Sequence, residues 1–203
     1  LRRSFGAAAE FSATQQRVKN LTKTYQQFTG IQNVAAQSAK RFGISSAQAL
    51  SDLTDLGSRL GGTGASLKDL ENIYQGFNTL LVNNAVGAQQ AAAATLQLNQ
   101  ALGSGRLAGE EFNAINEATP QLLDEVAKVM GVARGELKEL ASEGKISSQV
   151  LLKALQNIKT QGADALADAL DTPAGKLRQF DAAIKDFQVS IGTELFYGIK
   201  IGI

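Results

Sequence analysis

The residues Gly103-Ser104-Gly105-Arg106-Leu107-Ala108 match the G-x-G-x-x-A phosphate-binding pattern letter for letter. That chemistry needs a strand ahead of the glycines, a helix whose N-terminus receives the pyrophosphate, and a ribose-binding acid about 20 residues further on. An Ala-rich helix-forming stretch precedes these glycines instead, so they read as a turn between two helices. No G-K-[ST] follows, so a phosphate-cradling loop of that kind is not expected. Glu110-Glu111 could supply a general acid, and a glycan-cleaving site would need such a carboxyl raised in pKa inside a cleft. Opening a helix is the better reading, because carboxylates favour the positive end of the helix dipole and Phe112, Ile115 and Ala118 continue an apolar stripe behind them. Asp52, Asp55, Asp164, Asp168 and Asp171 have no EF-hand-like loop around them and read as solvated helix faces. Arg2-Arg3 and Lys40-Arg41 are isolated basic pairs, narrower than the basic stripe a nucleic-acid site requires. The chain has neither Cys nor His, which removes thiol nucleophiles, disulfides and the commonest general base and nitrogen ligand of metals. These residues point to a protein that is not an enzyme and carries no catalytic residue, cofactor or metal.

What must position any site is a set of helices. The 203 residues are 44% hydrophobic and only 6% aromatic, with Ala, Leu, Gln and Gly prominent, a balance suited to helices packed through small side chains. With 20 basic and 19 acidic residues the net charge is +1, so no electrostatic footprint for nucleic acid or an anionic membrane follows. No apolar run is long enough to span a bilayer. Leu1-Arg2-Arg3 is not followed by the apolar stretch of a signal peptide. The chain starts at Leu1 and stops in the apolar segment Leu195–Ile203, and both ends read as cut edges of a longer chain.

Apolar residues recur at helical spacing: Val18, Leu21, Tyr25 and Phe28; Leu50, Leu53, Leu56 and Leu60; and Leu67, Leu70, Ile73, Tyr74, Phe77, Leu80 and Leu81. Thr119-Pro120 and Thr172-Pro173 place a capping hydroxyl before a proline at the first helical position. Ser45 with Gln48, and more weakly Ser66 with Asp69, have capping-box spacing. Gly30, Gly43, Gly131 and Gly144 stand where left-handed helix ends are expected, and Gly61–Gly64 reads as a loop. Strand-like alternation is lacking except in Phe196–Ile203, which stays open between strand and helix. The expected fold is all-α, a compact array of roughly eight to ten short helices joined by Gly/Ser turns. The organisation reads as an N-terminal helical segment over 1–42, a core over 43–160 and a C-terminal helix over 161–203.

The Leu67–Leu81 stripe reads as core. Leu177, Phe180, Ile184, Phe187, Ile191 and Leu195 form a stripe close to a heptad seam, and for this one core packing and contact with another copy are equally compatible with the spacing.

A family resemblance enters here. Phe42-Gly43-Ile44-Ser45 and Ser66-Leu67-Lys68-Asp69 each open a helix. They are followed by Gln100 to Phe112, which holds Gly103, Gly105, Arg106, Leu107, Gly109, Glu110, Glu111 and Phe112. Next come Ala118-Thr119-Pro120, Ala127 to Gly131, Gly135 to Leu140 and Glu143-Gly144-Lys145-Ile146. In order, over roughly residues 40–160, this resembles the tape measure domain of tailed-phage tail-length proteins. The resemblance implies a structural protein of the virion that fills the growing tail tube, sets its length, supports tail assembly and leaves on DNA ejection. It also implies a place in the tail lumen, and in the host cytoplasm during assembly. The partners implied are further copies of the chain (a trimer ahead of a hexamer), tail tube and tail tip or baseplate hub proteins, and tail assembly chaperones on the parent chain; contact with DNA stays open. The motif has no catalytic residues to carry over.

At about 1.5 Å per residue an unbroken helix of this length would reach on the order of 300 Å. Glycines, capped starts and two prolines interrupt this one, so the expectation is a folded domain at one end of the tail. The alternatives are a helical peptidoglycan-degrading segment and a generic helical adaptor module.

Overall fold

Among the described residues the chain forms eleven α-helices, one 3-10 turn and two strands of two residues each. A computed structural model describes residues 2–61 and 63–201, leaving aside the side chains of residues 2, 163, 164 and 195–201. The all-α expectation is met, with one helix more than the range foreseen. The helices fall into two compact units, Leu1–Asp55 with Thr172–Ile203, and Leu56–Asp171.

The first unit holds α1 (Arg2–Leu21), α2 (Tyr25–Phe42), the greater part of α3 (Ser46–Leu60) and α11 (Pro173–Ile201). Helix α11 lies along α1. The two backbones approach closely at Gly192, where a Cβ would stand 2.1 Å from the Ser4 carbonyl oxygen. Asp186 of α11 caps α3 from outside, its Oδ1 accepting from the Ser46 N–H at 2.8 Å. Ser45 receives the Gln48 N–H at 3.2 Å, but the Gln48 side chain turns to Asp52, so only half of a capping box forms. Leu50 and Leu53 are buried as their spacing predicts. The stripe Val18 to Phe28 is not one face. A break after Leu21 divides it between α1 and α2, and Tyr25 is 79% exposed at the start of α2. Gly30 does not end a helix either; it lies inside α2, whose left-handed terminator is Gly43 at φ 61°. Thr172 caps α11 through the Gly175 N–H at 3.1 Å, and α11 continues helically to Ile201, so the open terminal segment is helix as far as residue 201, with residues 202 and 203 outside the described residues.

The second unit is built on α4 (Leu67–Asn83) and α9 (Ser148–Gln161), with α7 (Pro120–Met130) and α10 (Ala163–Asp171) beside them and α5 (Ala88–Ser104) against α6 (Gly109–Ala118). Arg134–Glu136 forms the 3-10 turn that leads into α8 (Leu137–Ser142). Helix α4 opens on a full capping box, Ser66 accepting from the Asp69 N–H at 3.2 Å while Asp69 accepts from the Ser66 N–H at 2.9 Å. The pair expected to be the weaker cap is thus the complete one. Leu70, Ile73, Tyr74, Phe77, Leu80 and Leu81 are buried, and Leu67 at the helix start is 37% exposed. The other face of α4 is buried too, through Asn72, Gln75, Gly76 and Thr79, because α9 crosses it closely. A Cβ on Gly76 would meet the Leu155 carbonyl oxygen at 2.2 Å. Lys159 of α9 completes the crossing, its ammonium 2.6 Å from Glu71 and 3.1 Å from Asn72. Burial pushes the Glu71 carboxyl up, but the hydrogen bonds and charges of Lys159 and Lys68 together outweigh it, and its pKa lies below the ordinary value.

Candidate functional site

Two regions carried the functional expectations: the run of motif residues in the second unit and the stripe on α11 in the first.

The motif residues shape turns. Gly105 ends α5 in the left-handed region, at φ 83°. The chain then extends into β1 (Arg106–Leu107), which pairs antiparallel with β2 (Ile146–Ser147), Arg106 opposite Ser147 and Leu107 opposite Ile146. A further bond from the Ser148 N–H to the Gly105 carbonyl, 2.8 Å, extends the junction. Leu107 and Ile146 are both fully buried. Two segments nearly forty residues apart, Gly103–Phe112 and Gly144–Ile146, are therefore one structural feature. Gly144 also has positive φ, 67°, and a Cβ there would stand 3.1 Å from the Arg106 side chain, so the stem of Arg106 lies across it.

Gly109, at φ 49°, begins α6, and Glu110 and Glu111 occupy its first turn. Glu110 is exposed and Glu111 half-buried. Phe112 behind them is buried, with the Arg134 guanidinium 5.9 Å from its ring centre. Arg134 is itself held by Asp124 at 3.0 Å and Asn116 at 2.5 Å. Pro120 stands at the first position of α7 as expected. Thr119 before it does not cap in the expected sense: its hydroxyl donates to the Ile115 carbonyl at 3.2 Å, and so serves the end of α6. Gly131 ends α7 at φ 69°. Lys145 pairs in solvent with Glu143 at 2.8 Å. Gly103 has no positive φ, and a Cβ there would meet Arg59 at 3.4 Å, an ordinary contact.

The acidic residues stay dispersed. Asp55 pairs with Arg17, and Asp52 accepts from Gln48. Asp168 and Asp171 are exposed, and the Asp164 side chain lies outside the described residues. No three His, Cys, Asp or Glu residues gather as metal ligands among the described residues. A cleft of about 330 Å³ in the first unit, between α1, α3 and α11, has Glu10 and Lys185 as the charged members of its lining and collects no carboxyl pair. Of the basic pairs, Arg41 is set over the Phe42 ring at 5.5 Å, and the Arg2 side chain lies outside the described residues.

The α11 stripe is exposed. Leu177 is 68%, Phe180 63%, Ile184 41% and Phe187 65% accessible, and Ile191 is half-buried. The Leu195 side chain lies outside the described residues. The opposite side of the helix carries the packing, through buried Gly175, Ala182 and Gly192.

A model of the family described as tape measure protein matches residues 2–193. The chain belongs to the tape measure protein family. Tape measure proteins are structural proteins of phage tails, and the motif residues here do what a structural domain needs of them. Neither a search of curated proteins nor one of solved structures returned a match. No helix among the described residues is long and apolar enough to cross a membrane.

Sequence reasoning missed the mating of Leu107 with Ile146. It also missed three polar junctions inside the second unit: Lys159 with Glu71, the reciprocal amide pair of Asn84 and Gln121 at 2.8 and 2.9 Å, and buried Glu125 receiving Asn157 at 2.8 Å. The one available signal was Gly144-Lys145-Ile146-Ser147, a glycine turn followed by a β-branched residue, which is a strand start in miniature.

Proposed function

We propose that this chain is a folded part of a tail ruler, located in the tail lumen at one end of the tail, where it supports tail assembly and length setting and leaves when DNA is ejected. The family membership over residues 2–193 carries this reading. The helix breaks support the choice of a folded end over a measuring rod: residues 45–160 are divided among α3 to α9 and turn repeatedly, so they cannot span the length a continuous helix would. In this reading residues 43–160 are the tape measure core. Copies of the chain, three ahead of six, pack together beside tail tube and tail tip or baseplate hub proteins.

The test is a phage whose parent protein lacks residues 56–171. Electron microscopy of its lysate should show tails missing or arrested, and cryo-electron microscopy of the wild-type virion should find the domain at a tail end. Full-length tails that deliver DNA normally would overturn the proposal.

A further inference from the structure

Helix α11 carries two faces, and only one is used within the chain. Taking Leu177 as position a of a heptad, the a positions over residues 177–191 are Leu177, Ile184 and Ile191 and the d positions Phe180 and Phe187, the 3-4-3-4 spacing of a coiled-coil seam that ends before Glu194, the next d residue, with Leu195 at e. Gly175 and Ala182, buried within the first unit, fall at position f, directly opposite. Four of the five seam residues are between 41% and 68% exposed. At 150–250 Å² for a phenylalanine, Phe180 and Phe187 alone leave about 200–300 Å² of aromatic surface in water.

The charges flanking the seam select its occupant. Lys176 is at position g and Asp181 at position e. In a parallel pair of identical helices in register, each g residue faces the e residue five positions later on its neighbour, which sets Lys176 against Asp181 of the other copy. An antiparallel pair sets g against g and e against e. The g residues are Lys176, Ala183 and Ser190 and the e residues Ala174, Asp181, Gln188 and Leu195, so that arrangement offers no opposite charges. Asp181 is well placed to contribute: it is exposed and pairs with Lys185 of its own helix at 2.7 Å.

We propose that α11 is the seam through which copies of this chain associate side by side, parallel and in register, along Leu177, Phe180, Ile184 and Phe187. This rests on the reading that several copies share a tail, and adds the face and the orientation.

The chain has no cysteine, so single cysteines report cleanly. In the 203-residue chain, Leu177→Cys and Phe187→Cys should each form disulfide-linked dimers with themselves under mild oxidation, and Lys185→Cys, exposed but off the seam, should not. Phe180→Glu with Phe187→Glu should reduce the mass by light scattering to that of a monomer while leaving helicity unchanged, with a melting temperature that no longer depends on concentration. Lys176→Glu should weaken pairing by up to about 25-fold, up to about fivefold for each of the two equivalent contacts, and adding Asp181→Lys should restore it. Crosslinking only in a mixture of Leu177→Cys and Phe187→Cys chains would mean an antiparallel seam and overturn the proposal. So would equal crosslinking of Lys185→Cys, a wild-type chain that stays monomeric at every concentration, or a loss of helicity in the double glutamate variant. Tail assembly in the deletion phage reads the broader role separately: normal tails with an intact seam refute that role alone, and absent tails with a monomeric chain refute the seam alone.

Discussion

Gly76 is where the second unit is most sensitive to one methyl group. An alanine Cβ would lie 2.2 Å from the Leu155 carbonyl oxygen and 2.9 Å from its carbon, where contacts under 3.0 Å are essentially never found. The obstacle is backbone of α9, so no side-chain rotation relieves it. Helices α4 and α9 must part by about 0.8 Å, the difference between 2.2 and 3.0 Å. A gap of about 0.5–1 Å forfeits a quarter to a half of each dispersion well along the contact, and overpacking of this kind costs about 1–3 kcal/mol, more where backbone must move. Alanine returns about 1 kcal/mol through its helix propensity. With the cost at the upper end, Gly76→Ala should destabilise by about 2 kcal/mol net. In a chain of 203 residues that is a fall in Tm of about 4–8 °C. Circular dichroism at 222 nm with heating and with urea measures it. Gly103→Ala is the control, because its Cβ would meet Arg59 only at 3.4 Å and should leave stability unchanged or raise it by up to about 1 kcal/mol. A Gly76→Ala chain as stable as wild type would refute the backbone-to-backbone crossing of α4 and α9.

The same reasoning applies to Gly192, whose added Cβ would fall 2.1 Å from the Ser4 carbonyl oxygen; Gly192→Ala should lower the melting temperature and speed hydrogen exchange in α1, and unchanged exchange there would count against the crossing. Ser66→Ala removes the acceptor of the Asp69 N–H and half of the capping box on α4, and should cost about 1 kcal/mol by urea denaturation, with Ser66→Asp recovering most of it. Glu71 titrates below its unfolded value in the folded chain, so its contribution is present above a pH of about 4.3 and is lost as the pH falls through the lower folded value. Replacing it by Gln should therefore destabilise the chain at neutral pH and flatten the acid limb of its stability curve; an acid limb identical to wild type would show that the Lys159 contact contributes nothing.

The helices were legible because local chemistry specifies them. Proline at the first position of α7 and of α11, the cap of Ser66, and the left-handed ends at Gly43, Gly131 and Gly144 all follow from residues within a few positions of the element they bound. What escaped depends on distant partners. Two-residue strands have no periodicity to detect, so β1 and β2 became visible only once α5 to α8 had brought them together. Gly76 looks locally like a weak point in a helix, and its value lies in the position of Leu155 on another helix. Gly30 is the converse, a glycine that resembles a terminator yet is carried inside α2 by the residues around it. The stripe on α11 has the same spacing whether it faces a core or water. The side of the helix that the first unit uses is decided by tertiary contacts, Gly192 against Ser4 and Asp186 on Ser46.

The turn-forming residues between Gly103 and Lys145 and the exposed apolar surface are largely different residues, and the reason is conformational. Gly105, Gly109, Gly131 and Gly144 all require positive φ, a region costly to residues with a Cβ. Leu107 and Phe112 are buried, and Pro120 fills the helix position that tolerates a missing N–H. Substituting these should act through folding, since each specifies a turn or fills the interior. Gly103, Glu110 and Lys145 are under no such constraint: the first has room for a Cβ, and the others reach into solvent. A protein that works by assembling with others must present apolar surface that its own fold does not consume. Among the described residues the large exposed hydrophobic side chains are Tyr25, Leu67 and Leu96, one to a helix, and the four consecutive seam residues of α11. Isolated exposed residues are ordinary on any protein surface, whereas a continuous stripe is not. In the proposed reading, partner recognition is therefore placed on α11, apart from the turn-forming residues between Gly103 and Lys145.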